Sequence, residues 1–161
     1  MIEKFIAKTP EDLIPVAREL IRLVTMARKD SRERPALVLL SGPMGVGKTK
    51  FVETVVRELS SEMPEVTSPT FALHQVYRLS NEKKIDHFDL YRLKSDDEIE
   101  SAGFWDVLAA NEGLVFVEWP EKLPGMEKPN EGNFQTPGWD IFCVKMSLLS
   151  TGAREIVIQD E

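Results

Sequence analysis

Apolar and polar positions near the amino end predict a short strand followed by an amphipathic helix. Glu3 to Ala7 predicts an edge strand. Thr9 suits a helix N-cap, Pro10 suits the first helical position, and Asp12 lies where a capping-box acid belongs. The apolar residues that follow recur at the three- and four-residue spacing of a helix with one buried face: Leu13, Ala17, Leu20, Val24 and Ala27.

A continuous apolar run from Ala36 to Leu40 predicts a strand that is covered on both faces, as in a parallel sheet. Glycine-rich residues follow this run directly. The stretch from Lys48 to Ser60 then has apolar residues along one side and predicts a helix. The predicted order is therefore strand, glycine-rich loop and helix.

The middle of the chain predicts a hairpin, two short helical segments and another buried strand. Phe71 to Leu79 and Lys83 to Leu90 are strand-like and have a short polar connection, which favours an antiparallel pair beside the parallel core. Asp96 to Glu100 and Gly103 to Ala110 favour helical turns. Leu114 to Val117 is a second continuous apolar run and predicts a second buried strand.

The last part of the chain predicts an irregular loop and two closing strands. Proline and glycine recur from Leu123 to Asp140, which is typical of a loop. Ile141 to Leu149 and Arg154 to Ile158 are strand-like and meet at Thr151-Gly152. Because there is no internal repeat and no low-complexity tract, residues 1–161 are expected to form a single domain.

Composition narrows the class of protein. Hydrophobic residues make up 42% of the chain and charged residues 29%, as in ordinary globular proteins. The formal net charge of -7 makes direct binding to nucleic acid unfavourable, because phosphate neutralisation needs clustered Lys and Arg. The single cysteine, Cys143, cannot form an internal disulfide, and no apolar run resembles a signal peptide or a membrane span. These features predict a cytoplasmic protein that does not contact a membrane.

The glycine-rich loop carries the full Walker A pattern. Glycines let the backbone bring its N–H groups close to phosphates, and the helix that follows directs its positive end to the same place. We expect Lys48 to reach the outer phosphates of ATP and the Thr49 hydroxyl to bind Mg²⁺. The residues expected to contact the nucleotide are Gly42, Pro43, Met44, Gly45, Val46, Gly47, Lys48 and Thr49, with Lys50 next to them.

Two acids are candidates to complete this site. Glu118 follows the second buried run directly, and ligands of open α/β sheets bind beyond the carboxyl ends of the strands. Asp89 is the second candidate, although the residues alone leave it equally an ordinary solvated acid. It shares a strand face with His87, whereas Asp86 faces the other side. His74 and His87 are expected to be structural, because phosphoryl transfer depends mainly on positioning and charge neutralisation.

The segment Ser68-Pro69-Thr70-Phe71 precedes the predicted hairpin. A loop hydroxyl here can respond to a terminal phosphate, as switch segments do. A simple Ser-Pro turn into a strand explains the same residues equally well.

Four segments together resemble the TsaE family, also called YjeE, whose members are small bacterial ATPases required for threonylcarbamoyladenosine in tRNA. They are the Walker A loop, Ser68-Pro69-Thr70-Phe71, His87-Phe88-Asp89-Leu90-Tyr91-Arg92-Leu93 and Glu118-Trp119-Pro120-Glu121. The resemblance extends from about Leu13 to Ile158. The chain departs from the family at Pro43, where an acid is frequent, and at Lys50, where Thr or Ser is frequent.

This resemblance implies roles for particular residues. Thr49 and Glu118 would bind Mg²⁺, and Asp89 would act in ATP hydrolysis together with Lys48 and Glu118. Thr70 would belong to a switch-like loop, and Trp119 would lie beside the nucleotide. The implied fold is α/β: a three-layer sandwich like that of P-loop NTPases, with flanking helices around a mixed central sheet of parallel core strands and antiparallel hairpin strands.

The resemblance also implies partners. Family members act with two proteins, TsaB and TsaD, so this chain would meet tRNA only indirectly through that complex. Its hydrolysis of ATP is expected to be weak alone and stimulated by the partners.

Two other functions are compatible with the sequence. A small-molecule kinase of this size usually has an arginine-bearing lid, but the predicted loop from Leu123 to Asp140 has no arginine and only one lysine, Lys128. A nucleotide-gated binding module without significant turnover would use the same phosphate-binding residues.

Overall fold

The computed structural model describes residues 1–27, 34–60, 65–66, 73–79, 83–125 and 136–160. Thr70, the hairpin connection at 80–82 and residues 126–135 of the predicted loop lie outside these ranges. The described strands are β1 (Ile2–Ala7), β2 (Ala36–Ser41), β3 (Glu65–Val66), β4 (His74–Arg78), β5 (Lys84–Asp89), β6 (Leu114–Glu118), β7 (Asp140–Leu148) and β8 (Arg154–Asp160). The helices are α1 (Leu13–Ala27), α2 (Lys48–Leu59), α3 (Asp96–Ser101) and α4 (Phe104–Ala110), with 3₁₀ turns at Pro10–Asp12 and Pro120–Lys122.

The described strands form one eight-stranded mixed sheet in the order β1-β8-β7-β2-β6-β5-β4-β3. Its centre is parallel, because β2 pairs in parallel with both β6 and β7, and β6 pairs in parallel with β5. Antiparallel strands extend the sheet on both sides, β4 and β3 next to β5, and β8 and β1 next to β7. The predicted mixed sheet is confirmed, including the hairpin and the edge strand at the amino end.

Helices cover both faces of the parallel centre. Alternate residues of β2 separate two cores, because Val38 packs with residues of α1 and α2 whereas Leu39 packs with residues of α3 and α4. The apolar runs of β2 and β6 are buried along almost their whole length, as continuous apolarity predicted. The structure is therefore the predicted three-layer arrangement.

Some local details differ from the sequence predictions. The first helix begins with the 3₁₀ turn Pro10–Asp12, and the α-helix begins only at Leu13. Asp12 nevertheless acts as the predicted acid, since its carboxylate accepts hydrogen bonds from the backbone N–H groups of Lys8 and Thr9. The short strand β3 was not predicted, because two residues produce no periodic pattern.

Because Leu39 is buried in a core and Leu148 is exposed, truncating each to alanine should lower the free energy of unfolding by different amounts. Leu39→Ala removes atoms from a side chain that is 1% exposed in the central strand, so we expect a loss of about 2–5 kcal/mol in the free energy of unfolding. Leu148→Ala makes the same chemical change at a side chain that is 61% exposed, and its effect should stay within about 0.5 kcal/mol. Urea unfolding measures both values, and equal losses would contradict this description of the core.

Candidate functional site

The carboxyl ends of three parallel strands converge on one edge of the sheet. Leu40 of β2 lies beside Glu118 of β6, and Glu118 lies beside Asp89 of β5. The Walker A loop leaves β2 at this same edge and leads into α2. The acids and the loop that the sequence identified separately are thus adjacent in the fold.

The loop adopts backbone conformations that favour glycine. Gly42, Gly45 and Gly47 have φ angles of 141°, 76° and 112°. A Cβ atom on Gly42 would also lie 2.3 Å from the carbonyl oxygen of Met146 in β7. The loop therefore rests directly on the backbone of the neighbouring strand.

A side chain from the last strand holds the outer side of the loop. Arg154, at the start of β8, donates a hydrogen bond of 3.1 Å from Nε to the carbonyl oxygen of Val46. The Val46 side chain is buried. The loop is thus fixed from both β7 and β8.

Lys48 occupies the mouth of the loop. Its ammonium group donates hydrogen bonds to the carbonyl oxygens of Gly42 and Pro43, at 2.7 and 3.0 Å. Burial lowers the pKa of Lys48, while three nearby acids, Glu118, Glu121 and Asp89, act to raise it. A buried ammonium that is surrounded by acids and backbone carbonyls offers a point charge to phosphate at short range.

Trp119 lies against this lysine. The Lys48 Nζ atom is 4.1 Å from the centre of the Trp119 ring, and that ring is 4.9 Å from the ring of Tyr91. Trp119 has a left-handed backbone conformation with φ 60°, so the chain turns sharply where β6 ends. Trp119 is therefore next to Lys48, and its expected place beside a nucleotide stays a prediction.

Thr49 and Glu118 are in direct contact. The Thr49 hydroxyl donates a 2.7 Å hydrogen bond to Oε1 of Glu118. His87 approaches the same oxygen, with Nε2 at 2.9 Å. The side chains of Glu118 and His87 are each 4% exposed, so these two are almost completely removed from water, whereas Thr49 is exposed.

The oxygens of Thr49 and Glu118 suit Mg²⁺. Magnesium in nucleotide sites is usually held by one or two carboxylates together with phosphate oxygens and water. Among the described residues there is no group of three or more His, Cys, Asp or Glu side chains that would hold a metal alone. A hydroxyl beside one carboxylate therefore fits a cation that arrives with a nucleotide.

Asp89 is more exposed than Glu118. Its carboxylate accepts a 3.1 Å hydrogen bond from the backbone N–H of Tyr91, which lies in the turn after β5. Paired positions of neighbouring parallel strands face the same side of a sheet, so Asp89 and Glu118 face the same side. One acid is therefore buried against the loop, and the other lies at the open rim.

Two predicted site residues lie at the margin of this cluster, and a third lies outside the described residues. Met44 is 64% exposed at the tip of the loop. The Lys50 ammonium lies 3.4 Å from the carboxylate of Glu53, on the exposed side of α2. Thr70 belongs to the residues that the structure does not describe.

Sequence reasoning did not assign His87 and Arg154 to the site. His87 alternates with Asp89 on one face of β5, and that alternation was a usable signal. The contact between Arg154 and Val46 joins residues 108 positions apart, and no local pattern indicates it.

None of the helices in the described part of the chain is long and apolar enough to cross a bilayer.

Comparisons with known proteins relate this chain to one family. Residues 7–139 match the family model described as threonylcarbamoyl adenosine biosynthesis protein TsaE. A tRNA threonylcarbamoyladenosine biosynthesis protein TsaE from Rickettsia felis is 42% identical over 93 residues, which are 58% of this chain and 53% of that protein. The protein of the same name from Aquifex aeolicus is 32% identical over 123 residues, 76% of this chain and 80% of that protein.

The chain spans about half the length of the first of these relatives. A crystal structure of YdiB from Bacillus subtilis superposes with a TM-score of 0.57 over 98% of this chain and 84% of that chain. Its sequence is 20% identical, so this likeness supports the fold alone.

The packing of the loop predicts different outcomes for two of its glycines. Gly42→Ala should sharply weaken the binding of Mg²⁺–ATP, because the new Cβ would collide with the Met146 carbonyl and displace the loop. Gly45→Ala has open space around the new methyl group. The positive φ should cost the loop conformation about 1–2 kcal/mol, so the loss of nucleotide binding should be smaller than for Gly42→Ala. Calorimetric titration with the nucleotide measures both variants, and a larger loss for Gly45→Ala would contradict the described packing.

Proposed function

The chain belongs to the TsaE family, and we propose that it is an ATP-binding and ATP-hydrolysing subunit required for threonylcarbamoyladenosine modification of tRNA. The observation that carries this proposal is the contact of Thr49 with Glu118 beside the buried Lys48, at the carboxyl ends of β2 and β6. This is the arrangement in which P-loop proteins bind a nucleoside triphosphate with its metal. Because relatives of this family are named for the tRNA modification, the nucleotide site is expected to serve that pathway.

The residues of the loop would bind the phosphates. Backbone N–H groups from Gly42 to Thr49, apart from Pro43, and the amino end of α2 would supply positive potential to the anion. Lys48 would exchange its hydrogen bonds with the loop carbonyls for the outer phosphates. Trp119 limits the space around the lysine on one side.

Thr49 and Glu118 would hold the magnesium ion. Bound Mg²⁺ would neutralise charge on the phosphates during transfer to water. A hydroxyl has one proton and two lone pairs, so Thr49 can donate to Glu118 and still offer a lone pair to the metal. The contact that the structure shows is therefore compatible with metal binding.

Asp89 is proposed to orient the attacking water. It lies beside Glu118 on the same face of the sheet, but it is exposed at the rim where solvent has access. Transfer to water mainly requires that the water be positioned in line with the terminal phosphate. An exposed carboxylate at this place can accept a hydrogen bond from such a water.

The proposed partners are TsaB and TsaD. The net charge of -7 makes an independent contact with tRNA unfavourable. In a complex, the partner proteins would supply the surface that binds the RNA. We place the protein in the cytoplasm, where ATP and tRNA are available. Turnover is expected to be slow for the isolated chain and faster in the complex.

The proposed role of Lys48 is tested by ATP hydrolysis with and without TsaB and TsaD. We expect the partners to stimulate hydrolysis and Lys48→Ala to lower it by about 100- to 1,000-fold, because an electrostatic contact to the developing charge is lost. Lys4→Ala is the matched control, since Lys4 lies on the edge strand β1 and pairs with Glu155. Slow rates that neither the partners nor Lys48→Ala changes would indicate a nucleotide-gated module instead.

Substitutions of Glu118 and Asp89 should impair ATP hydrolysis in different ways. Glu118→Gln should raise the Mg²⁺ concentration needed for half-maximal hydrolysis by at least about tenfold, because a metal ligand is weakened. Asp89→Asn should lower kcat at saturating Mg²⁺ by about 100-fold or more, because the attacking water loses its orientation. The Mg²⁺ concentration needed for half-maximal hydrolysis should change little. A magnesium titration of the steady-state rate separates the two effects, and identical profiles would contradict the assignment.

A further inference from the structure

Two hydrogen-bond donors converge on one oxygen of Glu118. Oε1 lies 2.7 Å from the Thr49 hydroxyl and 2.9 Å from Nε2 of His87. Among the described residues, Oε2 of Glu118 accepts no hydrogen bond. The orientation of this buried carboxylate is thus set by one hydroxyl and one imidazole.

The contact with His87 is the one that a proton on Nε2 of the imidazole would make. An ionised carboxylate only accepts hydrogen bonds, so Nε2 must be the donor. Which nitrogen of a histidine is protonated is set by its hydrogen bonds, and here the acceptor is Glu118.

The other side of the imidazole is enclosed by β4. The hydroxyl oxygen of Tyr77 is 3.5 Å from Nδ1 of His87, which is the outer limit of a hydrogen bond. The two rings are nearly parallel, and their centres are 6.2 Å apart. The Tyr77 hydroxyl donates to Oε1 of Gln75 at 2.9 Å. Burial raises the pKa of Tyr77, so its hydroxyl keeps its proton at neutral pH. The imidazole is consequently held between a tyrosine and a glutamate.

We propose that His87 is a positioning residue: its Nε2–H group fixes Glu118 in the orientation in which Thr49 and Glu118 bind Mg²⁺ with the nucleotide. This inference rests on the proposed function and assigns it a residue beyond the phosphate loop and the two acids. A carboxylate buried to this extent is costly unless it is hydrogen-bonded, so loss of the His87 donor leaves Glu118 free to turn away. Donors that orient a metal-binding carboxylate typically change metal affinity or activity by 10- to 100-fold when they are removed.

The second histidine of the chain provides a matched control. His74 also contacts a buried acid, with Nε2 at 2.7 Å from Oδ1 of Asp86. Asp86 alternates with His87 along β5 and so faces the opposite side of the sheet. The same substitutions at His74 therefore test a partly buried histidine–carboxylate contact on the other face of the sheet.

The first experiment measures the Mg²⁺ dependence of nucleotide binding, using a fluorescent non-hydrolysable ATP analogue. His87→Leu should raise the half-saturating Mg²⁺ concentration by about 10- to 100-fold. His87→Gln should stay close to the unmodified protein, because its amide nitrogen reaches the place of Nε2, whereas the shorter side chain of His87→Asn should fail as His87→Leu does. His74→Leu should leave the Mg²⁺ dependence unchanged.

A double-mutant cycle separates positioning from a general effect on stability. If His87 acts through Glu118, His87→Leu should have little further effect on Mg²⁺ dependence in a Glu118→Gln background. Independent, additive effects would overturn the proposal. Melting curves without ligand identify any variant that does not fold. If His87→Leu does not fold, the difference in Mg²⁺ dependence between His87→Gln and His87→Asn tests the positioning role instead.

The second experiment reads the proton directly. The chain has two histidines, so ¹⁵N NMR of His74→Gln in the absence of nucleotide reports on His87 alone. We expect a protonated Nε2, and a protonated Nδ1 with a bare Nε2 would overturn the proposal.

The outcomes distinguish this inference from the proposed function. If the unmodified protein binds the analogue in a His87-dependent manner but does not hydrolyse ATP with TsaB and TsaD, the hydrolytic function is wrong and the positioning role stands. If it hydrolyses ATP and His87→Leu keeps the normal Mg²⁺ dependence, the function stands and the positioning role is wrong.

Discussion

Parallel pairing of β2, β6 and β5 is the constraint on which the site depends. Because all three strands run in the same direction, their carboxyl ends reach one edge, and the register places Leu40, Glu118 and Asp89 side by side. The phosphate loop begins one residue beyond the end of β2 in the same place. Helices on both faces bury most of the length of these strands, and this burial holds the register that aligns the acids with the loop.

Charge balance explains why these polar groups can be buried together. An isolated ammonium or carboxylate is very costly in a low-dielectric interior, whereas Lys48 has backbone carbonyls, an aromatic face and acids around it. Glu118 in turn receives two donors. Binding of phosphates would require Lys48 to leave the loop carbonyls, whereas Glu118 already has its two neighbours, Thr49 and His87, in place.

Local sequence signals were sufficient for the helices, the Walker A loop and the described strands other than β3. Continuous apolar runs indicated β2 and β6, and the position of Glu118 directly after a buried strand indicated its place at the sheet edge. Contacts between distant segments carried no such signal. The alternation along β5 put His87 on the face of Asp89, but its hydrogen bond to Glu118 depends on strand pairing, and the bond between Arg154 and Val46 depends on how β8 lies beside the loop.

The support of the phosphate loop by β7 and β8 has a consequence for the order of events during synthesis. Gly42 packs on Met146, and Val46 is held by Arg154 from a position 108 residues later in the chain. The motif precedes in the chain the β7–β8 hairpin on which its final shape depends. A nascent chain that ends before β7 would thus carry every Walker A residue and still lack the surface on which the loop rests, so the loop reaches its described shape only after β7 and β8 have been added.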